Sequence, residues 1–184
     1  MKIRLLKPSV LTGILGVAGL LCLPLSVQAA TTVNGVINAT ITLVDACSIN
    51  GSTPTAGATW GTLAFGSQPT LFTTATATVT GTGSSPISLQ CAAATPPTLT
   101  IVSGANDSNA GSGHTHAMAN GAKYVPYDIY TDSGHTTKIN NGTAFFTSAN
   151  NGTSENVNIY GQATGASGLT PGAYTDTLTV QLTY

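Results

Sequence analysis

The stretch YTDTLTVQLTY, from Tyr174 to Tyr184, decides the fold. Tyr174, Leu178, Val180, Leu182 and Tyr184 fall on one face, which Asp176 alone interrupts, while threonines and Gln181 fill the other. A period of two is the mark of a half-buried strand. A second alternating stretch, TVNGVINATITLVDAC, runs from Thr32 to Cys47, with Val33, Ile37, Ala39, Ile41 and Leu43 on one face. Two apolar strands near the two ends of the chain are each suited to a sheet edge. Exposed apolar edges invite pairing with another chain, a hazard that soluble proteins usually suppress. Two readings stand side by side: Val33–Leu43 is the first strand of its own domain, or it completes the sheet of a neighbouring subunit.

Residues 1–30 read as a secretory signal peptide rather than as part of the fold. Lys2, Arg4 and Lys7 form the basic start, Val10 to Leu25 the apolar run, and Val27-Gln28-Ala29 the small-residue cleavage region. The apolar run is shorter than the roughly 20 residues of a spanning helix, and Pro24 interrupts it. Cys22 follows Leu21, where lipidation wants a small residue. No membrane insertion of the mature chain is expected.

Beyond residue 30 only Lys123 and Lys138 are basic, against Asp45, Asp107, Asp128, Asp132, Glu155 and Asp176, a balance of −4. Nucleic-acid binding needs a basic patch and has none here. Thr, Ala, Gly, Ser and Asn dominate, yet net charge is low and β-branched residues are plentiful, the reverse of a disordered composition. Cys47 and Cys91 are the two cysteines left after cleavage, 44 positions apart. In an oxidising compartment the simplest reading is one disulfide. A metal pair is the alternative, without CxxC or CxxH spacing to support it.

Turn signals punctuate the chain: Gly66-Ser67, Gly81-Thr82-Gly83, Asn120-Gly121, Asp132-Ser133-Gly134, Asn140-Asn141-Gly142 and Asn150-Asn151-Gly152. Between them the patterning predicts strands over 33–43, 59–65, 73–80, 86–92, 98–103, 124–131, 144–147, 155–162 and 173–184, and no helix. Many short strands with regular turns indicate one all-β domain, a β-sandwich or barrel, Greek-key in topology. The Gly-, Asn- and His-rich segment 104–122 is expected to be a long surface loop.

Catalytic chemistry is not visible. His114 and His116 could together hold a metal, but with no carboxylate or third ligand nearby a solvated loop without metal is the better reading; His135 is expected to sit in a turn, and Asp128 and Asp132 to be turn residues. No strained G-x-S-x-G serine, paired carboxylates for glycoside cleavage or complete phosphate loop is present. The chain is expected not to be an enzyme, with no cofactor. Trp60 is expected to anchor the core.

Four features resemble the spore coat protein U domain, the fold shared by archaic chaperone–usher pilus subunits. They are Cys47 after an alternating strand, the Thr62-Leu-Ala-Phe-Gly66 segment, Ile87-Ser-Leu-Gln-Cys91, and a C-terminal run. That run comprises Tyr127-Asp-Ile-Tyr130-Thr-Asp132, Tyr160-Gly161 and Gly172-Ala-Tyr174-Thr-Asp176-Thr-Leu-Thr-Val180. The family's arginine after the fourth strand region has no counterpart here. The resemblance implies an incomplete immunoglobulin-like Greek-key sandwich spanning 46–184, with residues 31–45 an N-terminal donor-strand extension. Val33, Ile37, Ala39, Ile41 and Leu43 would be the donor residues. Leu178, Val180, Leu182 and Tyr184 would face a periplasmic chaperone. Further implied partners are an outer-membrane usher and other copies or related subunits. The implied place is a secreted surface pilus reached through the periplasm, serving adhesion and biofilm formation. A spore or cell coat protein and a carbohydrate-binding adhesive module are the rival readings.

Overall fold

The computed structural model describes residues 30–83 and 86–184. The signal-peptide reading falls, but for Ala30, outside the described residues. The chain divides into two units, Met1–Ile41 and Thr42–Tyr184.

In the first unit, residues 30–41 carry no regular secondary structure and are exposed throughout. The strand expected over Val33–Leu43 is therefore absent, and the same irregular, exposed backbone continues to Asp45. Alternation makes one face of a strand apolar, but a strand needs a ladder partner for its N–H and C=O groups. None of the sheets includes these residues.

The second unit is all-β, with eleven strands among the described residues: β1 (Ala46–Ile49), β2 (Gly61–Leu63), β3 (Thr74–Gly81), β4 (Ile87–Ala92), β5 (Thr98–Gly104), β6 (His116–Asn120), β7 (Lys123–Tyr130), β8 (Ala144–Thr147), β9 (Ser154–Val157), β10 (Tyr160–Thr164) and β11 (Leu178–Thr183). They form three antiparallel sheets ordered β1-β4-β9, β2-β3-β10-β7-β6 and β11-β5-β8. β10 lies between β3 and β7, so the five-stranded sheet interleaves early, middle and late parts of the chain, as a Greek-key sandwich requires. One core draws on all three sheets, with Leu89, Leu99, Ile101, Tyr127, Ile129 and Val157 nearly inaccessible. These are inward positions of the alternating runs.

Cys47 and Cys91 face each other across the β1–β4 ladder and form a disulfide, with S–S 2.08 Å. Three expectations are corrected. The run 155–162 is two strands in different sheets, because the chain leaves β9 after Val157 and joins β10 at Tyr160. Ala46–Ile49, which the patterning placed in no strand, is a strand of its own. Segment 104–122 is not one long loop: it holds a short 3-10 turn, Asp107–Asn109, and the strand β6. Its small residues hid a strand whose partner is supplied by the hairpin turn at Asn120-Gly121, where Gly121 takes φ 59°.

Candidate functional site: an apolar groove between two sheet edges

β2 pairs with β3 on one side, and β11 pairs with β5 on one side. Their other edges border a long apolar depression. One part, about 630 Å³, runs between Trp60–Leu63 and Thr175–Val180 over a floor that includes Val79, Ile101 and Tyr127. A second part, about 820 Å³, continues past Phe65 and Phe72 to Leu169. Leu63, Phe65, Met118 and Tyr174 line both, so the two form one groove.

The sequence builds this groove position by position. Leu178, Val180 and Leu182 are half-buried against the core and Thr179, Gln181 and Thr183 are exposed, the alternation read from the sequence. Tyr184, placed on the same face, is 47% exposed. At Gly161 of β10 an added Cβ would sit 2.7 Å from Leu63 Cδ2 and 3.0 Å from Phe65 Cζ. Only a residue without a side chain lets Leu63 and Phe65 lie across that strand. Phe65 meets Tyr127 edge to face at 5.8 Å. Trp60 is half-buried: it packs on the core, as expected, and also lines the groove.

The polar members of the groove belong to a network that the sequence reading missed. The Tyr127 hydroxyl donates to Asp176 Oδ2 at 2.7 Å, and Asn106 Nδ2 donates to Asp176 Oδ1 at 2.9 Å. Burial, reinforced by that carboxylate, holds the Tyr127 phenol far above its usual pKa, so it serves only as a neutral donor. Asp176 was the one carboxylate on an otherwise apolar strand face, and that break in the pattern was the available signal.

His116 is not solvated but completely buried, and its Nδ1 lies 2.7 Å from Asp107 Oδ1. His114 finds a different acid, Asp128, at 2.8 Å. Asp128 is no turn residue. It lies inside β7, 5% exposed, and binds Lys138 Nζ at 2.6 Å and the Thr115 N–H at 2.8 Å. Burial acts to raise its pKa, but Lys138, His114 and the Thr115 N–H outweigh burial and hold the carboxyl below the ordinary range. Asp132 and His135 do sit in a turn, where Asp132 accepts the N–H groups of Thr136 and Thr137 and His135 takes φ 55°.

Among the described residues, the large hydrophobic side chains left exposed concentrate in one segment: Val33 is 86% exposed, Ile37 95%, Ile41 83% and Leu43 83%. Val36 and Val44 are equally bare, and Ala39 is exposed too. The Spore Coat Protein U domain model matches residues 33–181. The chain belongs to this family. The match to the spore coat U domain takes in both the exposed segment from Val33 and the sandwich as far as Gln181 in β11. No curated protein matches the sequence. A solved structure is similar at 19% identity and a TM-score of 0.42, covering 78% of this chain. It is the CsuC–CsuE chaperone–tip adhesion subunit pre-assembly complex from the archaic chaperone-usher Csu pili of Acinetobacter baumannii. This chain spans 40% of that one. No helix of the described spore coat U chain is long and apolar enough to cross a membrane.

Proposed function

We propose that this spore coat U protein is a non-enzymatic structural subunit of a surface pilus, assembled by donor-strand complementation. The observation that carries the reading is the coexistence of two complementary features. One is an apolar groove with a free strand edge on either rim; the other is a segment, Val33–Leu43, whose alternating apolar face has no place in any sheet. A strand entering such a groove gains ladder hydrogen bonds along both edges and places every second side chain over the floor. In this reading Val33, Ile37, Ala39, Ile41 and Leu43 of one subunit fill the groove of the next. A periplasmic chaperone fills it first, alongside Leu178, Val180, Leu182 and Tyr184. An outer-membrane usher is where the exchange takes place, and the fibre serves adhesion and biofilm formation. Residues 1–30 are the export signal, 31–45 the donor extension and 46–184 the acceptor domain. Electron microscopy of cells with and without the gene tests this: fibres that vanish with the gene support it. A continuous coat, or an unchanged surface, refutes it.

A further inference from the structure

Three ligand atoms from distant parts of the sequence converge beside Gly104. An added Cβ on Gly104 would sit 2.8 Å from Asp176 Oδ2 and 3.1 Å from His116 Nδ1, with Asp107 Oδ1 closer still. The three groups each offer one atom within 4.8 Å of the others. Asp107 comes from the 3-10 turn after β5, His116 from β6 and Asp176 from the approach to β11. Gly104 is therefore required less for its backbone than for the space its missing side chain leaves.

The charges there do not balance. Among the described residues the only salt bridge to either Asp107 or Asp176 is from His116, since Lys138 is committed to Asp128. Two half-buried carboxylates thus share one imidazole. Their remaining contacts are neutral donors: Gly104 N–H and Asn141 Nδ2 to Asp107, Asn106 Nδ2 and the Tyr127 hydroxyl to Asp176. Partly buried carboxylates normally find cations or a metal. Polar groups around the cluster are also left over. His116 Nε2 and Asn141 Oδ1 are buried with no hydrogen-bond partner, and His116 is wholly inaccessible. His116 Nε2 is on the ring edge away from the cluster, so the leftover group that bears on it is Asn141, whose Nδ2 donates to Asp107 and whose Oδ1 is left for a water to complete.

We propose that Asp107, His116 and Asp176 form a binding site for a divalent transition metal, with Zn²⁺ the ion that suits two carboxylates and one imidazole. Aspartate oxygens and a histidine nitrogen are ordinary zinc ligands, and the imidazole disfavours Ca²⁺ and Mg²⁺. Binding needs a lone pair on His116 Nδ1, so a hydrogen held there moves to Nε2 or, from a doubly protonated ring, to solvent, and it needs small movements that draw the three atoms onto one centre. A fourth position stays open to water, for which the neighbouring Asn141 Oδ1 is an acceptor. The ion would tie the lead-in to β11 to β6 and to the turn after β5. It would thereby stiffen one end of the groove whatever occupies that groove.

The test is titration of the chelator-treated mature chain with Zn²⁺, read by calorimetry, thermal melting and nitrogen NMR of the three histidines. The expected result is one ion per chain, a raised melting temperature, and a shift of the His116 resonances but not of His114 or His135. Asp107→Asn and Asp176→Asn, which keep shape and hydrogen-bonding capacity, should each weaken binding about tenfold or more. His114→Ala should bind as the wild type does. If either Asp variant fails to fold, the histidine shifts of the wild type decide alone. Absence of binding, a shift at His114 instead, or Zn²⁺ affinity retained in both folded Asp variants would overturn the site. So would a melting temperature that follows imidazole protonation and ignores Zn²⁺.

Discussion

At the scale of single residues, Asp128 is a nearly buried carboxylate that holds Lys138, His114 and a backbone N–H. Its folded pKa lies below the unfolded value, so its stabilisation is complete above the unfolded carboxylate pKa of about 4 and is lost as pH falls through the lower folded value. Asp128→Asn should cost about 1–2 kcal/mol near neutral pH and flatten the acid limb of the stability curve; denaturant titrations at pH 7 and pH 3 measure both. The Cys47–Cys91 bridge closes a long loop, and replacing both by Ser should cost about 2–5 kcal/mol, read from the same titrations. The cysteine pairing was legible in the sequence because only two mature cysteines exist. The His116 cluster was not. Its acids lie 9 positions before and 60 after the histidine along the chain, and only sandwich closure makes them neighbours. What the sequence did show was a carboxylate, Asp176, on a face where apolar residues belong.

At the scale of elements, a period of two identified most strands and blurred where one ended and the next began. The pattern of Glu155–Gln162 is continuous in polarity although the chain changes sheets within it, since either sheet buries the same alternate positions. β6 escaped notice because His, Ala and Asn carry little strand signal; its neighbour β7 supplies the ladder, and the approach to β11 adds the Ala119–Thr175 bridge. The alternation at 33–43 was read correctly as a pattern but not as a formed strand: pattern selects a face, and pairing makes the strand. β11 has both. It is paired with β5 along Leu178–Thr183 and offers its other edge to the groove. Truncation before Leu178 would remove three half-buried side chains from the core and leave β5 with β8 alone. The expected outcome is no chaperone complex and a degraded subunit, read by co-purification from the periplasm. Normal accumulation of the truncated chain with a chaperone would count against the role given to this strand.

At the scale of the whole molecule, the question is whether Val33–Leu43 and the groove belong to the same domain or to successive subunits. The two alternatives place the energy of the same side chains differently. If the segment completes its own sandwich, a charge at Ile41 is buried inside the folded subunit, where desolvation costs several kcal/mol. If it completes a neighbour, Ile41 stays in water until assembly, as its 83% exposure allows, and the charge costs nothing in the subunit itself. The penalty then falls entirely on the contact between subunits, where it opposes the ladder and pocket contacts that hold the fibre together. Ile41→Asp should therefore leave a folded, chaperone-bound subunit with unaltered circular dichroism and an unchanged melting temperature once a donor peptide fills its groove. The same variant should fail to form fibres under the electron microscope. A melting temperature that drops sharply in the peptide-complemented variant would mean that residues 33–43 are a strand of their own domain, and the polymerisation mechanism would fall with it.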